Sequence, residues 1–228
     1  MTITYLGHSA LRLETGSVSV LVDPFITGNP AAEAVVRLEE LAPDVILITH
    51  AHGDHWGDTE ALVAKSGAMV VANHEIVTYL EKKTGHSNVR GMNIGGSLVL
   101  PWGTVKQTYA RHSSSFPDGT YGGNPNGYMV EVGDHYIYIA GDTSTFAEME
   151  WLGRDYDIDV AFLPVGDTYT MGIEDAVRAA RLLRPGLTVP VHYNTFAAIE
   201  VDVTRWESMM LDAGLAPKVL MAGETLSM

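Results

Sequence analysis

Four side chains that can bind a metal lie within six consecutive positions, in the sequence His-Ala-His-Gly-Asp-His. In an extended backbone, residues two apart project to the same side, so His50 and His52 can meet one cation. Gly53 allows the chain to turn and to bring Asp54 and His55 toward a second cation. A polar loop whose histidines only cap a strand is the alternative, and the tight clustering disfavours it. The spacing therefore predicts two neighbouring divalent metal ions.

Three further candidate ligands are spread along the rest of the chain. His112, Asp142 and His192 each follow a predicted β-strand, as His50 does, so four strand ends can converge on one edge of the fold. Taken singly, each of the three is as readily a surface or capping residue. Their shared placement, on loops over a rigid scaffold, predicts that they complete the metal site.

The donor types limit the metal and the chemistry. The chain has no cysteine, so any metal must be held by histidine and carboxylate. Such a site favours zinc and also accepts manganese, iron, nickel or cobalt. Two cations about 3.5–4 Å apart share a water whose pKa falls to about 7, so hydroxide bridging the metals is the expected nucleophile. Asp54 can also accept a hydrogen bond from that water and pass on its proton.

The elements that must position these residues follow from apolar periodicity. Strands are predicted at 2–6, 10–14, 17–22, 45–48, 69–72, 104–110, 128–132, 136–140, 160–163, 188–191 and 218–221. Helices are predicted at 31–40, 59–65, 75–83, 173–183 and 203–213. Strands that precede any helix disfavour a doubly wound parallel sheet. We therefore predict a single α/β domain over residues 1–228, a four-layer αββα sandwich of two sheets with helices outside.

The charge and hydropathy of the chain limit the classes of partner that it is expected to bind. Asp and Glu number 28 against 14 Lys and Arg, giving a formal net charge of −14, which repels phosphate backbones and makes nucleic acid an unexpected partner. A small-molecule substrate is expected, and two bound cations would make an anionic one acceptable. The amino terminus has no basic, apolar leader, which predicts a cytoplasmic protein without membrane association. Apolar residues expected at the surface, Trp206, Met209 and Met210, are compatible with a homo-oligomer.

The order of the motifs resembles the metallo-β-lactamase superfamily, whose hallmark His-x-His-x-Asp-His stands here intact at residues 50–55. The resemblance implies that fold and a binuclear site. It also implies that Asp23 has a structural role near the motif loop. The implied ligands are His50, His52 and His112 for one metal, Asp54, His55 and His192 for the other, and Asp142 for both.

Three segments, at 5–10, 23–30 and 170–176, further resemble short metal-dependent hydrolases related to ascorbate-6-phosphate lactonase. This narrower resemblance implies a two-metal hydrolase of the lactonase or phosphodiesterase type, acting on an ester, lactone or phosphodiester bond. It also implies that His8 approaches the metals as a donor or proton carrier, although a purely structural histidine fits the sequence equally well. Asp54 and His8 are thus the catalytic candidates.

Three other functions stay open at this point. An iron-dependent redox enzyme is disfavoured because the di-iron relatives carry Glu where this chain has His52, together with a flavin domain. An RNA-processing nuclease is disfavoured by the negative charge. A non-catalytic metal-binding module stays open because the sequence does not reveal access to the site. Residues that are candidates for contact with the substrate are Asp167, Thr168, Tyr169, Tyr193 and Asn194.

Overall fold

The computed structural model describes residues 1–228, which form two β-sheets packed face to face. The strands of the first sheet, in spatial order, are β13 (Thr225–Ser227), β1 (Thr2–Gly7), β2 (Ala10–Glu14), β3 (Ser19–Val22), β4 (Val45–Leu47), β5 (Met69–Asn73) and β6 (Val89–Met92). Those of the second sheet are β12 (Leu187–Val191), β11 (Ile158–Pro164), β10 (His135–Ile139), β9 (Asn126–Val132), β8 (Gly103–Tyr109) and β7 (Ser97–Leu100).

Helices cover the outer face of each sheet. They are α1 (Pro30–Glu33), α2 (Gly53–Trp56), α3 (Thr59–Ser66), α4 (His74–Thr84), α5 (Met149–Asp155), α6 (Ile173–Leu183) and α7 (Val203–Asp212). Apolar residues of α3 and α4 pack on the first sheet, and those of α5, α6 and α7 pack on the second. The predicted αββα sandwich is confirmed.

The apolar run at β4 illustrates why the sheets lie in the middle of the molecule. Val45 and Leu47 point into the core between the two sheets, whereas Ile46 and Ile48 point toward the helices. Strand β4 is parallel to both of its neighbours, β3 and β5, and is covered on both faces. A strand buried on both faces needs apolar residues at every position, which explains the continuous run.

The strand predicted at 218–221 is wrong, and Pro190 supplies the reason. Around Thr188 of β12 the chain does make two ladder bonds, to the backbone of Ala216 and Lys218. Two residues later Pro190 has no N–H to donate, so the ladder stops and the segment continues as irregular structure.

The helix predicted at 31–40 is also wrong in its length. The observed helix α1 ends at Glu33, and a separate 3-10 turn follows at Leu38–Glu40. Between them lie Val35 and Val36, whose branched side chains restrict helical rotamers. Strands β6, β7 and β13 and helices α2 and α5 were not predicted, because each is short and carries little periodic signal.

The predicted apolar surface at Trp206, Met209 and Met210 is also wrong. Trp206 and Met210 belong to α7 and are fully buried in the apolar cluster between the helices and the second sheet. Met209 is partly buried against that cluster. They are core residues of the outer layer and do not form a contact surface. Among the helices, none combines the length and apolar character needed to cross a membrane.

We expect Trp206→Ala to lower the free energy of unfolding by about 3–5 kcal/mol, because it removes a fully buried indole and leaves a cavity. Trp151→Ala is the matched control, since the Trp151 side chain is 58% exposed, and we expect a change within about 0.5 kcal/mol. Urea unfolding measures both variants. Equal effects of the two changes would contradict the packing of α7.

Candidate metal centre

The predicted ligands meet at one end of the sandwich, where four strands from both sheets finish. The segment after β4 supplies the motif and turns into α2, while the loops after β8, β10 and β12 supply one residue each. The structure brings all seven predicted ligands together: His50, His52, Asp54, His55, His112, Asp142 and His192.

Three histidines form one half of this cluster. The Nδ1 atom of His52 lies 3.0 Å from Nε2 of His50 and 3.3 Å from Nε2 of His112. Oδ2 of Asp142 lies 3.5 Å from Nε2 of His112. Ligand atoms around one tetrahedral zinc ion are about 3.4 Å apart, so these four side chains have the spacing of a metal site.

The other half is built around both oxygens of Asp142. Its Oδ1 lies 3.3 Å from Nε2 of His55, and its Oδ2 lies 3.0 Å from Nε2 of His192. Nε2 of His192 is also 3.6 Å from Oδ2 of Asp54. Nε2 of His55 and Oδ1 of Asp142 are buried and face each other without a well-aligned hydrogen bond, which leaves part of the cost of their burial uncompensated. A cation bound between them would remove that cost, so the residues fit a metal.

Asp23 orients two of the histidines. Its carboxylate is buried and accepts hydrogen bonds from the backbone N–H of Thr49 (2.8 Å), the Thr49 hydroxyl (2.6 Å) and Nδ1–H of His55 (2.8 Å). Because the hydroxyl proton goes to Asp23, Thr49 Oγ1 accepts from Nδ1–H of His50, 3.0 Å away. Both histidines therefore turn Nε2 toward Asp142.

His8 lies behind Asp54 and contacts it directly. Nε2 of His8 is 3.1 Å from Oδ2 of Asp54, and Nδ1 is 2.9 Å from the hydroxyl oxygen of Thr195. Burial lowers the pKa of His8 to about 4, although Asp54 acts in the opposite direction. Neutral His8 therefore donates Nε2–H to Asp54 and accepts from the Thr195 hydroxyl at Nδ1.

Strained backbone surrounds the cluster. His8, Asp23 and His192 all have positive φ angles, of 56°, 44° and 55°, which cost about 1–3 kcal/mol each for residues other than glycine. The two strained turns at His8 and His192 are joined, because the N–H of His192 donates to the carbonyl of His8 at 2.8 Å. This bond ties the β1–β2 turn of the first sheet to the end of β12 in the second.

The charges in the cluster balance one another. Burial works to lower the pKa of His192, but Asp142 outweighs it and raises the value to about 9. Burial likewise opposes protonation of His55, and Asp142 with Asp23 raises its pKa well above the usual range. Burial alone would raise the pKa of Asp142, but His192 and His55 hold it well below the usual range. Burial keeps His50 neutral by lowering its pKa.

Two serines beside His112 contact the motif loop at residues 50–55. Ser113 Oγ lies 3.4 Å from Nε2 of His52. Buried Ser114 accepts from the N–H of Ala51 and donates to the carbonyl of Gly122, so it fastens the motif loop to the glycine-rich segment. Only the spatial proximity of residues distant in sequence reveals these roles.

The residues predicted as candidates for contact with the substrate lie in two loops, and their role stays a prediction. Asp167 and Thr168 form a turn with positive φ angles, and Tyr169 is exposed. Asn194 caps a local turn by accepting from the N–H of Val201. The structure adds residues that no sequence pattern indicated, namely Thr49, Thr195, Phe25 and Phe196, and the last two pack against the ring of His8.

Known proteins resemble this chain over nearly its whole length. A family model described as a beta-lactamase superfamily domain matches residues 2–192. A UPF0173 metal-dependent hydrolase of Salinibacter ruber is 46% identical over 228 residues, which is 100% of both chains. Another from Thermus thermophilus is 48% identical over 98% of this chain and 97% of its own.

A solved structure of a metallo hydrolase is also similar to this chain. Igni18, described as a novel metallo hydrolase from Ignicoccus hospitalis, superposes with a TM-score of 0.89 and 39% identity. The match covers 99% of this chain and 97% of that one.

We expect Asp23→Asn to weaken metal binding by about 10- to 100-fold, because an amide cannot accept all three hydrogen bonds that orient His55 and Thr49. Chelator competition measures the affinity. Asp44→Asn is the matched control, since exposed Asp44 also accepts a backbone N–H, from Ser19, and should leave the affinity unchanged. Unchanged affinity in Asp23→Asn would contradict the role of Asp23.

We expect metal affinity to rise with pH from about 7 to 9, because a metal must displace the proton of His192, whose pKa in the metal-free protein is about 9. Displacement of this one proton should raise the association constant about ninefold between pH 7 and 8 and about fivefold between pH 8 and 9, where His192 begins to deprotonate by itself. Calorimetry in two buffers of different ionisation enthalpy measures the accompanying proton release. An affinity independent of pH would show that His192 is not protonated before binding.

Proposed function

Because the chain belongs to the beta-lactamase superfamily and to its UPF0173 metal-dependent hydrolases, as the motif order predicted, we propose that it is a two-metal hydrolase of a small molecule. The bond cleaved is an ester, lactone or phosphodiester. The single observation that carries the proposal is the meeting of seven His and Asp side chains in one cluster, with both oxygens of Asp142 facing histidines.

The proposed ligands fall into two sets, with zinc as the favoured metal. The spacing of His50, His52 and His112 supports one metal position, and the unpartnered Nε2 of His55 supports the other. Asp54 and His192 complete the second set, and Asp142 contributes to both.

Bound divalent cations would supply Lewis acidity to the scissile group and lower the pKa of water to about 7. The side chains of the protein would position the water and the substrate. Asp54 is the carboxylate that solvent reaches, with 28% of its side chain exposed against 3% for Asp142. Asp54 therefore accepts a hydrogen bond from incoming water and orients it toward the substrate.

His8 acts on this step through Asp54. Its Nε2–H bond to Oδ2 fixes the carboxylate, and the Thr195 hydroxyl holds the ring in the required tautomer. His8 is thus a positioning residue, and its buried ring does not touch the substrate. Hydrolysis itself forms one bond from the water oxygen to the carbonyl carbon or phosphorus. The bond to the leaving oxygen breaks, one water proton moves to that oxygen, and the acid product releases the other.

Several observations favour this function over the alternatives. Solvent reaches Asp54 and His112, which argues against a sealed metal-binding module. No ion pair at the centre involves lysine or arginine, and the net charge is −14, which argues against a nuclease. The curated relatives carry the name of hydrolases, which argues against a redox enzyme.

We expect the protein to bind about two metals per chain, and the double variant Asp54→Ala, His192→Ala to bind one or fewer, because it lacks two ligands of one position. Elemental analysis measures the metal content. The same samples are tested for hydrolysis of bis(p-nitrophenyl) phosphate and lactones, and the double variant should lose turnover. His135→Ala is the control, because this histidine pairs with Asp159 outside the centre.

Failure of the unaltered protein to take up metal would overturn the proposal. Metal uptake with no hydrolysis of any ester, lactone or phosphodiester would retain the centre and reject the hydrolase. Wild-type behaviour of the double variant would reject the ligand assignment.

A further inference from the structure

Two phenylalanine rings border the centre on the side of His8 and Asp54. The ring centroids of Phe25 and Phe196 are 6.2 Å apart, and each lies 5.6 Å from the ring of His8. Phe196 is 43% exposed, and Phe25 is half-buried. Apolar surface therefore lies open to solvent beside His8, whose Nε2 contacts the partly exposed Asp54 carboxylate.

The loop that carries Phe25 is held in place without any ligand. The Asp58 carboxylate accepts the N–H groups of Ile26 and Thr27, at 3.0 Å and 2.8 Å. Pro24 packs so closely on Gly57 that a Cβ there would collide with it. Phe25 thus lies on a rigid turn, two residues after the buried Asp23.

The loop that carries Phe196 is equally constrained. Asn194 donates its N–H to the carbonyl of Ile199 at 2.9 Å, and its side chain accepts from the N–H of Val201 at 2.8 Å. Ile199 is buried. Because both loops are ordered in advance, binding an apolar group on the two rings costs little conformational entropy.

The charges around the centre indicate what kind of substrate fits. Every ion pair within the cluster joins a histidine to an aspartate, and none includes lysine or arginine. Arginine and lysine are the side chains that bind phosphate groups most strongly, in addition to any bound metal. Beside this centre lie the apolar rings of Phe25 and Phe196, and no arginine or lysine takes part in its ion pairs.

We propose that Phe25 and Phe196 form a wall that binds an apolar group of the substrate, and that the substrate is an uncharged ester or lactone carrying an alkyl or aryl group. This inference rests on the proposed hydrolase function and selects among its three bond types. Water adds its oxygen to the carbonyl carbon, the bond from that carbon to the ester oxygen breaks, and the alcohol takes one proton. The carboxylic acid product releases the other proton.

The test uses the metal-loaded protein and p-nitrophenyl acetate, butyrate and hexanoate, which share one leaving group. Each methylene that leaves water should raise kcat/KM about threefold to fourfold, so butyrate should exceed acetate by about tenfold, chiefly through KM. Phe196→Ala should reduce that ratio to below about threefold, whereas Phe196→Leu should keep most of it. Trp151→Ala removes an exposed aromatic side chain elsewhere on the surface and should behave as the wild type.

A second readout does not depend on turnover. Calorimetry measures the binding of hexanamide, an uncharged compound that resists cleavage, and Phe196→Ala should weaken it at least about fivefold. An unchanged chain-length ratio or unchanged hexanamide affinity in Phe196→Ala would overturn the wall. A higher kcat/KM for bis(p-nitrophenyl) phosphate than for every ester and lactone would overturn the substrate class. If no protein hydrolyses any substrate, the hydrolase is rejected. The wall is retained in that case if Phe196→Ala loses hexanamide binding while Phe196→Leu and Trp151→Ala keep it.

Discussion

The buried carboxylate of Asp23 is the constraint on which the rest of the centre depends. A carboxylate excluded from water is costly unless hydrogen bonds compensate it, and all three of its donors come from Thr49 and His55. The loop after β3 and the loop after β4 must therefore keep one relative position. That position aims two histidines at Asp142. Phe25 follows Asp23 by two residues, on a turn that Asp58 holds. The same three hydrogen bonds therefore join two loops of the fold and orient ligands of the metal centre.

Much of the fold could be predicted from the sequence, because apolar periodicity reports burial directly. The helix predicted at 173–183 matches α6, and ten of the eleven predicted strands overlap observed ones. The failures have physical causes. Pro190 ends a ladder that depends on a neighbour distant in sequence, so the segment at 218–221 could not be recognised as irregular. The strands β6, β7 and β13 are edge strands of only three or four residues, which is too short for apolar alternation to be recognised in the sequence.

The candidate centre could be predicted because its ligands combine a compact motif with residues that follow strands. The residues that orient those ligands could not. Thr49 acts through its hydroxyl, which only the position of Asp23 makes meaningful, and Thr195 meets His8 across 187 positions of sequence. Phe196 looks like an ordinary loop aromatic until its distance to His8 is known. Chemistry-bearing residue types are visible in a sequence, whereas the contacts that direct them belong to the folded chain.

The proposed ligands come from both sheets, since the motif follows β4 while His112, Asp142 and His192 follow strands of the second sheet. Metal bound there would act as a clamp across the sandwich, because only the folded chain assembles the complete ligand set. Free metal at 100 times its dissociation constant would add about 2.7 kcal/mol to the free energy of unfolding. A chelator would then make the chain more susceptible to proteolysis. The free metal concentration would thereby set how often the chain unfolds.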